Sequence, residues 1–382
     1  MIRVGLGVTA LCKGLTRGNV DGIGTYTRAL IAELSSEGQT SHTTAPSIVP
    51  FAFNAPIPKH LGSISHKLIP YSLGAAWSAL SNQDFPGIGQ LSKQVDLVHA
   101  SDHYIPHCKT VPLVATLMDA LPLSHPEWSR SEFRTLKNTL WRKAIGWADS
   151  IITISEYSKL QLSKWANIPI HKITVIPLGV GLDWFNNVSE TKFAQIKCQY
   201  ALPESFFIAV GTLQPRKNLI RTIRAHKMLP AAIRQRVPLL IVGSQGWKSE
   251  DILRLIAQES AGGSIRWLKH VPQADLLPLL KLSNALVFPS LAEGFGLPVL
   301  EAFAAKVPVI TSNSTSLPEV AGDAALLVDP LNTEEIRTAM ECVLEDVTLM
   351  ESLKHKGFNR AKQFTWSACA KSTLDVYRNT LS

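Results

Sequence analysis

Residues 288–306 read FPSLAEGFGLPVLEAFAAK, and this stretch constrains the chain more than any other. An apolar run at 285–288 meets Pro289 and Ser290, a loop carries Gly294 and Gly296, and Pro298 precedes an apolar helical run over 299–305. Proline suits a helix start, because its fixed φ is already helical and its missing N–H would be unpaired there. The order predicts strand, glycine loop, helix. A helix start near Leu297 leaves backbone N–H groups open, and their positive end attracts phosphate. Glu293 falls in the loop and Glu301 inside the helix, where carboxylates suit sugar hydroxyls. This combination fits a nucleotide-linked sugar. An ordinary strand–loop–helix unit with Glu301 on a wet face fits the same residues.

A second stretch, FFIAVGTLQPRKNL at 206–219, has a similar plan. Gly211 ends an apolar strand, and the following loop carries Arg216 and Lys217 into a helix. Arginine offers a planar fork and lysine a point charge, so the pair can clamp a diphosphate. A solvated basic turn is the alternative. Around these stretches strands and helices alternate. An apolar run at 238–243 ends at Gly243, a helical pattern covers 249–259, a short strand 265–270, and a helix 275–282. Such alternation predicts an α/β domain with ligand loops at the carboxyl ends of its strands.

A chain of 382 residues exceeds what one core usually serves, so two domains are expected. The first half opens with a strand at 2–8, then a loop holding Gly14, Gly18, Gly22 and Gly24, then a helix at 26–34. Strands follow at 97–99, 113–117 and 151–155, with helical patterns at 131–148 and 156–166. Trp141 and Trp147 in the former are read as packing residues between solvated cations. Residues 40–90 resist assignment. Within them, 57–80 mixes Lys59, His60 and Lys67 with Leu68, Ile69, Leu73 and Trp77. That pattern suits either core packing or a lipid surface. Residues 181–197 read as a connector.

The formal charge of +8 favours anionic partners, but no long Lys/Arg block points to nucleic acid. Five scattered cysteines, at 12, 108, 198, 342 and 369, match neither a disulfide framework nor metal-ligand spacing, so a reducing cytoplasm is expected. No apolar run is long enough to cross a bilayer. Peripheral contact with the inner face of the cell membrane stays open.

The second half resembles the nucleotide-sugar domain of retaining glycosyltransferases of family 4. The resemblance rests on Glu293 and Glu301 with seven residues between them, on Gly211, Arg216, Lys217 and Asn218, and on the flanks VIPLGV at 175–180 and SLPEVAGDAALLVDP at 316–330. It implies the GT-B fold: two Rossmann-like α/β domains facing across a cleft. Residues 1–182 would bind the acceptor, 183–363 the donor, and 364–382 would cross back to the first domain. It implies that Arg216, Lys217 and the amides of Gly294, Phe295, Gly296 and Leu297 hold the diphosphate. Glu301 would bind the ribose and Glu293 the donor sugar. Gly211 and Gly243 would let the backbone approach, His270 and Val271 would flank the base, and Gly22 and Gly24 would face the donor phosphates. No metal or cofactor is implied. Asp119 would orient the acceptor or a loop, or simply cap a turn. Met118 stands where several members have a histidine; His99, His103 and His107 are candidate replacements, with ordinary loop or packing roles as the alternative for each. GDP-mannose is the leading donor and a deoxyhexose nucleotide the next, with Thr212 departing from members that carry arginine there. The acceptor would be a glycan or lipid-linked oligosaccharide in surface polysaccharide synthesis. An epimerase, a glycogen-like polymerase, a noncatalytic nucleotide-sugar binder and a membrane-surface scaffold are the alternatives.

Overall fold

The computed structural model describes residues 1–18, 20–36, 45–62, 64–128 and 134–382. Two compact units divide the chain: Met1–Gly179 with Trp366–Ser382, and Val180–Thr365. Each is built on one parallel sheet among the described residues.

The first sheet contains β1 (Arg3–Gly7), β2 (Ser47–Phe53), β3 (His66–Leu68), β4 (Leu97–Ala100), β5 (Leu113–Thr116), β6 (Ser150–Thr153) and β7 (Ile173–Val175), in the order β3-β2-β1-β4-β5-β6-β7. The second contains β8 (Phe207–Val210), β9 (Leu239–Val242), β10 (Ile265–Leu268), β11 (Ala285–Phe288), β12 (Val309–Ser312) and β13 (Leu326–Val328), in the order β10-β9-β8-β11-β12-β13. Both share the doubly wound pattern, in which the winding reverses beside the first strand and opens a crevice at the carboxyl ends. These are two Rossmann-like domains. Parallel strands are covered on both faces, which is why β9, β11 and β12 are unbroken runs of buried residues. Each fully buried Leu, Ile or Val contributes about 1.5–3 kcal/mol.

Several expectations need correction. The glycine-bearing segment after β1 is not one loop. Leu11 and Cys12 bury a helix over Thr9–Arg17, which ends on Gly18 in the left-handed region (φ 70°). The next helix, Gly22–Ser36, begins four residues before the expected start, so Gly22 and Gly24 form its first turn. The Asp21 carboxylate accepts the Gly24 N–H at 2.8 Å and caps that turn. Within 40–90, a buried strand β2 pairs β1 on one side and β3 on the other despite Pro50. Leu68 is buried in β3 and belongs to the core, not to an exposed edge. The connector at 181–197 holds a short 3-10 turn, Leu182–Phe185, and a helix, Glu190–Gln199, whose Ser189 cap accepts the Lys192 N–H. The helix expected over 131–148 is seen as Arg134–Ile145, and residues 131–133 lie outside those described.

The C-terminal helix Trp366–Leu381 packs in the first unit against the helix Gly22–Ser36. Its Tyr377 is fully buried and its hydroxyl lies 2.7 Å from His99 Nδ1, while His99 Nε2 lies 2.8 Å from the Thr116 hydroxyl. Burial pushes the His99 imidazole down to about 3, so it stays neutral and serves as a brace. No described helix is long and apolar enough to cross a membrane.

Candidate active site

In the second unit Arg216, Lys217 and Glu293 meet where the winding reverses, in the loops after β8 and β11. After β8 the chain passes Gly211, whose φ of 143° is open to glycine but strained for other residues. Gly243, after β9, packs so closely that an added Cβ would lie 2.1 Å from the Gly211 carbonyl oxygen. These glycines keep the two strand ends together. A 3-10 turn, Pro215–Lys217, then presents both cations before the helix Leu219–Lys227.

Glu293, only 7% exposed, meets both cations. Arg216 Nη1 donates to its Oε2 at 2.6 Å and Lys217 Nζ to its Oε1 at 2.7 Å. Burial pushes the Glu293 carboxyl up, but the charges and hydrogen bonds of Lys217 and Arg216 outweigh this and hold it at about 2. Burial also pulls the Lys217 ammonium down, partly offset by Glu293. Its Nζ lies 4.5 Å from the Phe288 ring centroid, a cation–π contact. Arg216 is tied to Gln214 and the Ala292 carbonyl as well, so the cluster is rigid.

The loop from Ser290 to Gly296 is clamped by hydroxyls from the β12 side. Thr311 donates to the Phe288 carbonyl at 3.0 Å and Ser312 to the Ser290 carbonyl at 2.6 Å. Ser316, fully buried, reaches the carbonyls of Glu293 at 2.9 Å and Phe295 at 2.8 Å. Gly296 (φ 128°) opens the helix Leu297–Ala304. The N–H groups of Gly296 and Leu297 donate to no protein acceptor among the described residues. They form the anion-attracting end of that helix. Glu301, one turn on, is half-buried. Its carboxyl is pushed up to about 7 by burial and by the Asp183 charge, against the pull of Lys217.

Two side chains escaped the sequence reading in their roles. Asn218 sits in the left-handed region (φ 58°), buried, and its Nδ2 donates to the carbonyls of Pro289 at 2.9 Å and Pro330 at 2.6 Å. It fastens the basic turn to the glutamate loop. Ser316 precedes Leu-Pro-Glu, a spacing that reads as a capping box. Its hydroxyl instead holds the Glu293 loop from a distance of more than twenty residues. Near β10, His270 is exposed and Val271 half-buried, while Trp267 Nε1 donates to the Gly243 carbonyl at 2.8 Å.

The remaining expected residues lie in the first unit. Asp119 Oδ1 accepts the Leu121 N–H at 2.9 Å, and Met118 is buried. His107 Nδ1 bonds the Gln83 carbonyl oxygen, and His99 braces the C-terminal helix. Of the three candidate histidines, His103 alone has a sealed nitrogen, Nδ1, without a partner among the described residues. Burial lowers its pKa while the Asp119 and Asp21 charges raise it. No group of three or more His, Cys, Asp or Glu with metal-site geometry occurs among the described residues.

Two Rossmann-like domains, with a carboxylate, two cations and a glycine-opened helix start at the switch point of the second, define a glycosyltransferase of the GT-B type. The chain belongs to glycosyltransferase family 4. Residues 20–184 match the family described as Glycosyltransferase Family 4 and residues 194–360 that described as Glycosyl transferases group 1. The chain is 32% identical over 284 residues to the O-antigen chain mannosyltransferase B of Escherichia coli, covering 74% of each chain. It is 33% identical over 239 residues to the serotype-specific mannosyltransferase WbdA of Escherichia coli, spanning 61% of this chain and 29% of that protein. In fold it is similar to the sucrose-phosphate synthase of Thermosynechococcus elongatus (TM-score 0.75, 20% identity, 99% of each chain). It is also similar to the Anabaena protein HepE solved with UDP and glucose (TM-score 0.74, 16% identity, 99% of this chain and all of that one).

Proposed function

We propose that this enzyme transfers mannose, with retention, from GDP-mannose to a glycan or lipid-linked oligosaccharide during surface polysaccharide synthesis. The observation that carries the chemistry is the buried Glu293–Arg216–Lys217 cluster beside an open helix start. The mannosyltransferase relatives support the sugar.

In this reading Arg216, Lys217 and the amides at the start of the helix Leu297–Ala304 take the negative charge that grows on the departing diphosphate. Such groups accelerate transfer to the extent that they bind the transition state better than the ground state. Glu293 orients the two cations and offers its negative charge to the sugar's developing positive charge. Glu301 accepts the ribose hydroxyls. Asp119 orients the acceptor side through the turn it caps. No metal or organic cofactor takes part.

The enzyme works at the inner face of the cell membrane. The helix Tyr71–Ser81 supports this, because Leu73, Trp77 and Leu80 fall on one helical face and are 66%, 56% and 89% exposed. Exposed Lys59 and Lys67 nearby in sequence add attraction to anionic lipid.

The test is a donor panel under fixed acceptor conditions, with GDP-mannose, UDP-glucose, a GDP-deoxyhexose and a dTDP-deoxyhexose. Turnover greatest with GDP-mannose and an α-linked product are expected. Strong turnover with another donor and none with GDP-mannose rejects the assignment.

A further inference from the structure

A cavity of about 490 Å³ lies in the first unit, apart from every residue discussed above as holding the donor. Its position follows from the sheet. Lys13 stands on the helix after β1, Asn54 directly follows β2, and Tyr104 follows β4. All three therefore lie toward the carboxyl ends, where β1 and β4 mark the reversal of winding and doubly wound sheets take ligands.

The lining has a definite chemistry. Tyr71, Tyr104 and Trp141 supply aromatic surface, and Lys13 and Lys137 supply charge. Among the described residues no carboxylate lines the cavity. Lys13 Nζ donates to the Tyr104 hydroxyl at 3.2 Å and lies 4.5 Å from the centre of its ring. Neither lysine forms an ion pair among the described residues. The acid whose field reaches Lys13 is Asp102, which is buried and whose oxygens accept the N–H groups of Ala10 and Tyr104, each at 3.1 Å. Tyr71 is held in place by its hydroxyl on the Ile105 carbonyl and by a T-shaped contact with Tyr104 at 5.2 Å. Behind the wall, Trp141 Nε1 and His103 Nδ1 are both sealed without partners, and their rings meet at 5.5 Å.

Fixed aromatic faces with a few convergent polar groups are the makings of a ligand site, and uncompensated lysines select an anion. We propose that this cavity binds a phosphate-bearing saccharide, the phosphate taken by Lys13 and Lys137 and a sugar ring seated against Tyr104 and Trp141. As the acceptor site, it rests on the reading of the chain as a transferase and adds the charge the acceptor must carry. The phosphate can come from a lipid-linked saccharide diphosphate or from a soluble sugar phosphate. The exposed Leu73 and Trp77 on the helix that also carries Tyr71 favour the first.

Three synthetic probes test this: a mannobiose with a short alkyl diphosphate at its reducing end, the same mannobiose as a neutral alkyl glycoside, and the diphosphate with a polyprenyl chain in phosphatidylcholine vesicles. Binding is measured by calorimetry with GDP saturating the donor site, and acceptor and donor KM are measured separately in the transfer reaction. The short diphosphate is expected to bind about tenfold more tightly than the neutral glycoside. Lys13→Ala and Lys137→Glu should each erase most of that preference, raising acceptor KM while donor KM holds. Tyr104→Leu should weaken both short probes alike. Tighter binding of the polyprenyl probe identifies the lipid source, and equal binding the soluble one. Equal affinity for the charged and neutral probes overturns the proposal. So does an intact preference in the two lysine variants, with thermal unfolding showing that both remain folded. If the charged probe binds selectively but no donor supports transfer, the cavity stands and the transferase reading falls. If transfer proceeds equally to both probes, the reverse holds.

Discussion

Lys217 donates to Glu293 Oε1 at 2.7 Å, with both side chains largely out of water. A diphosphate that reaches Lys217 has to share it with this carboxylate, and the same holds for Arg216 on Oε2. In the proposed reading, Glu293 opposes ground-state binding of the leaving group and offers its charge to the reacting sugar. Removing its charge should separate the two effects. In Glu293→Gln, GDP affinity is expected to rise on the order of tenfold, because two half-buried cations lose their anion. Transfer is expected to fall about 100-fold. Calorimetry with GDP and initial-rate kinetics measure the two. A fall in GDP affinity together with unchanged turnover contradicts the arrangement.

Lys217→Ala and Arg216→Ala should each lower kcat by about 100-fold or more, since each removes a preorganised charge beside the leaving group. Lys217→Ala also leaves a buried carboxylate with one partner, so its melting temperature should fall. The acid limb of stability should move with it. Glu293 is held at about 2 against a usual value of 4.5, so its contribution is full above 4.5 and is lost as pH falls toward 2. In Lys217→Ala the folded-state value rises toward 4.5, so the contribution is smaller and its loss is complete at higher pH. Denaturant titrations from pH 2 to 6 on both proteins read the difference.

How much of this was legible depended on the kind of signal. The runs at β8, β9 and β11 showed in the sequence because parallel strands are apolar along their whole length. Arg216, Lys217 and Glu293 stood out as residue types in strand-to-helix loops. Their mutual pairing did not, because 76 or 77 positions separate the partners and only the sheet order brings β8 beside β11. Strand β2 was hidden by Pro50, which normally argues against a strand with neighbours on both sides. The helix Thr9–Arg17 was hidden by Gly14, a poor helix former that is buried here. Ser316 was hidden because its local spacing advertises a cap, whereas its hydroxyl is used by a loop distant in sequence.

Glu301 gives a proton-linked prediction. Burial and Asp183 raise its carboxyl to about 7, so at pH 6 most of the folded protein carries it protonated. A carboxylate that accepts two ribose hydroxyls is stabilised in its charged form, so nucleotide binding should expel the proton. Calorimetry of GDP at pH 6 in buffers of different ionisation enthalpy should show release of up to about one proton. Glu301→Gln should abolish the release and weaken binding. Identical proton release in the variant would place the linkage elsewhere.

Asn218 combines two structural demands that substitution can separate. Its side chain satisfies two buried carbonyls, and its backbone is left-handed (φ 58°). Asn218→Gly keeps the backbone and loses the hydrogen bonds, at a cost of about 1–3 kcal/mol. Asn218→Ala adds the left-handed penalty of roughly 1–2 kcal/mol. Urea unfolding of the two variants should rank alanine below glycine. Both should lower kcat more than an exposed substitution of equal stability cost, because the tie between the basic turn and the glutamate loop is gone. Alanine as stable as glycine would mean the backbone relaxes out of its observed conformation.

The exposed face of the helix Tyr71–Ser81 makes the membrane reading testable without touching the fold. Leu73, Trp77 and Leu80 recur at helical spacing and face outward, while Gly74, Ala75 and Ser78 are buried on the opposite side. Gly74 packs so closely on Phe85 that an added Cβ would lie 2.2 Å from its ring, which fixes which face is turned out. Exchanging Leu73 and Trp77 for serine therefore removes apolar surface that the folded unit does not use, and the melting temperature should hold within a few degrees. Association with vesicles containing phosphatidylglycerol should fall at least about tenfold, since each buried methylene contributes about 0.8 kcal/mol to membrane binding. Salt should weaken association of the unsubstituted protein as well, because the neighbouring lysines act through a screened field. Transfer to a soluble acceptor should be indifferent to the exchange, whereas transfer to a lipid-linked one should fall with vesicle binding. Vesicle association equal in both proteins would assign this apolar face to something other than lipid.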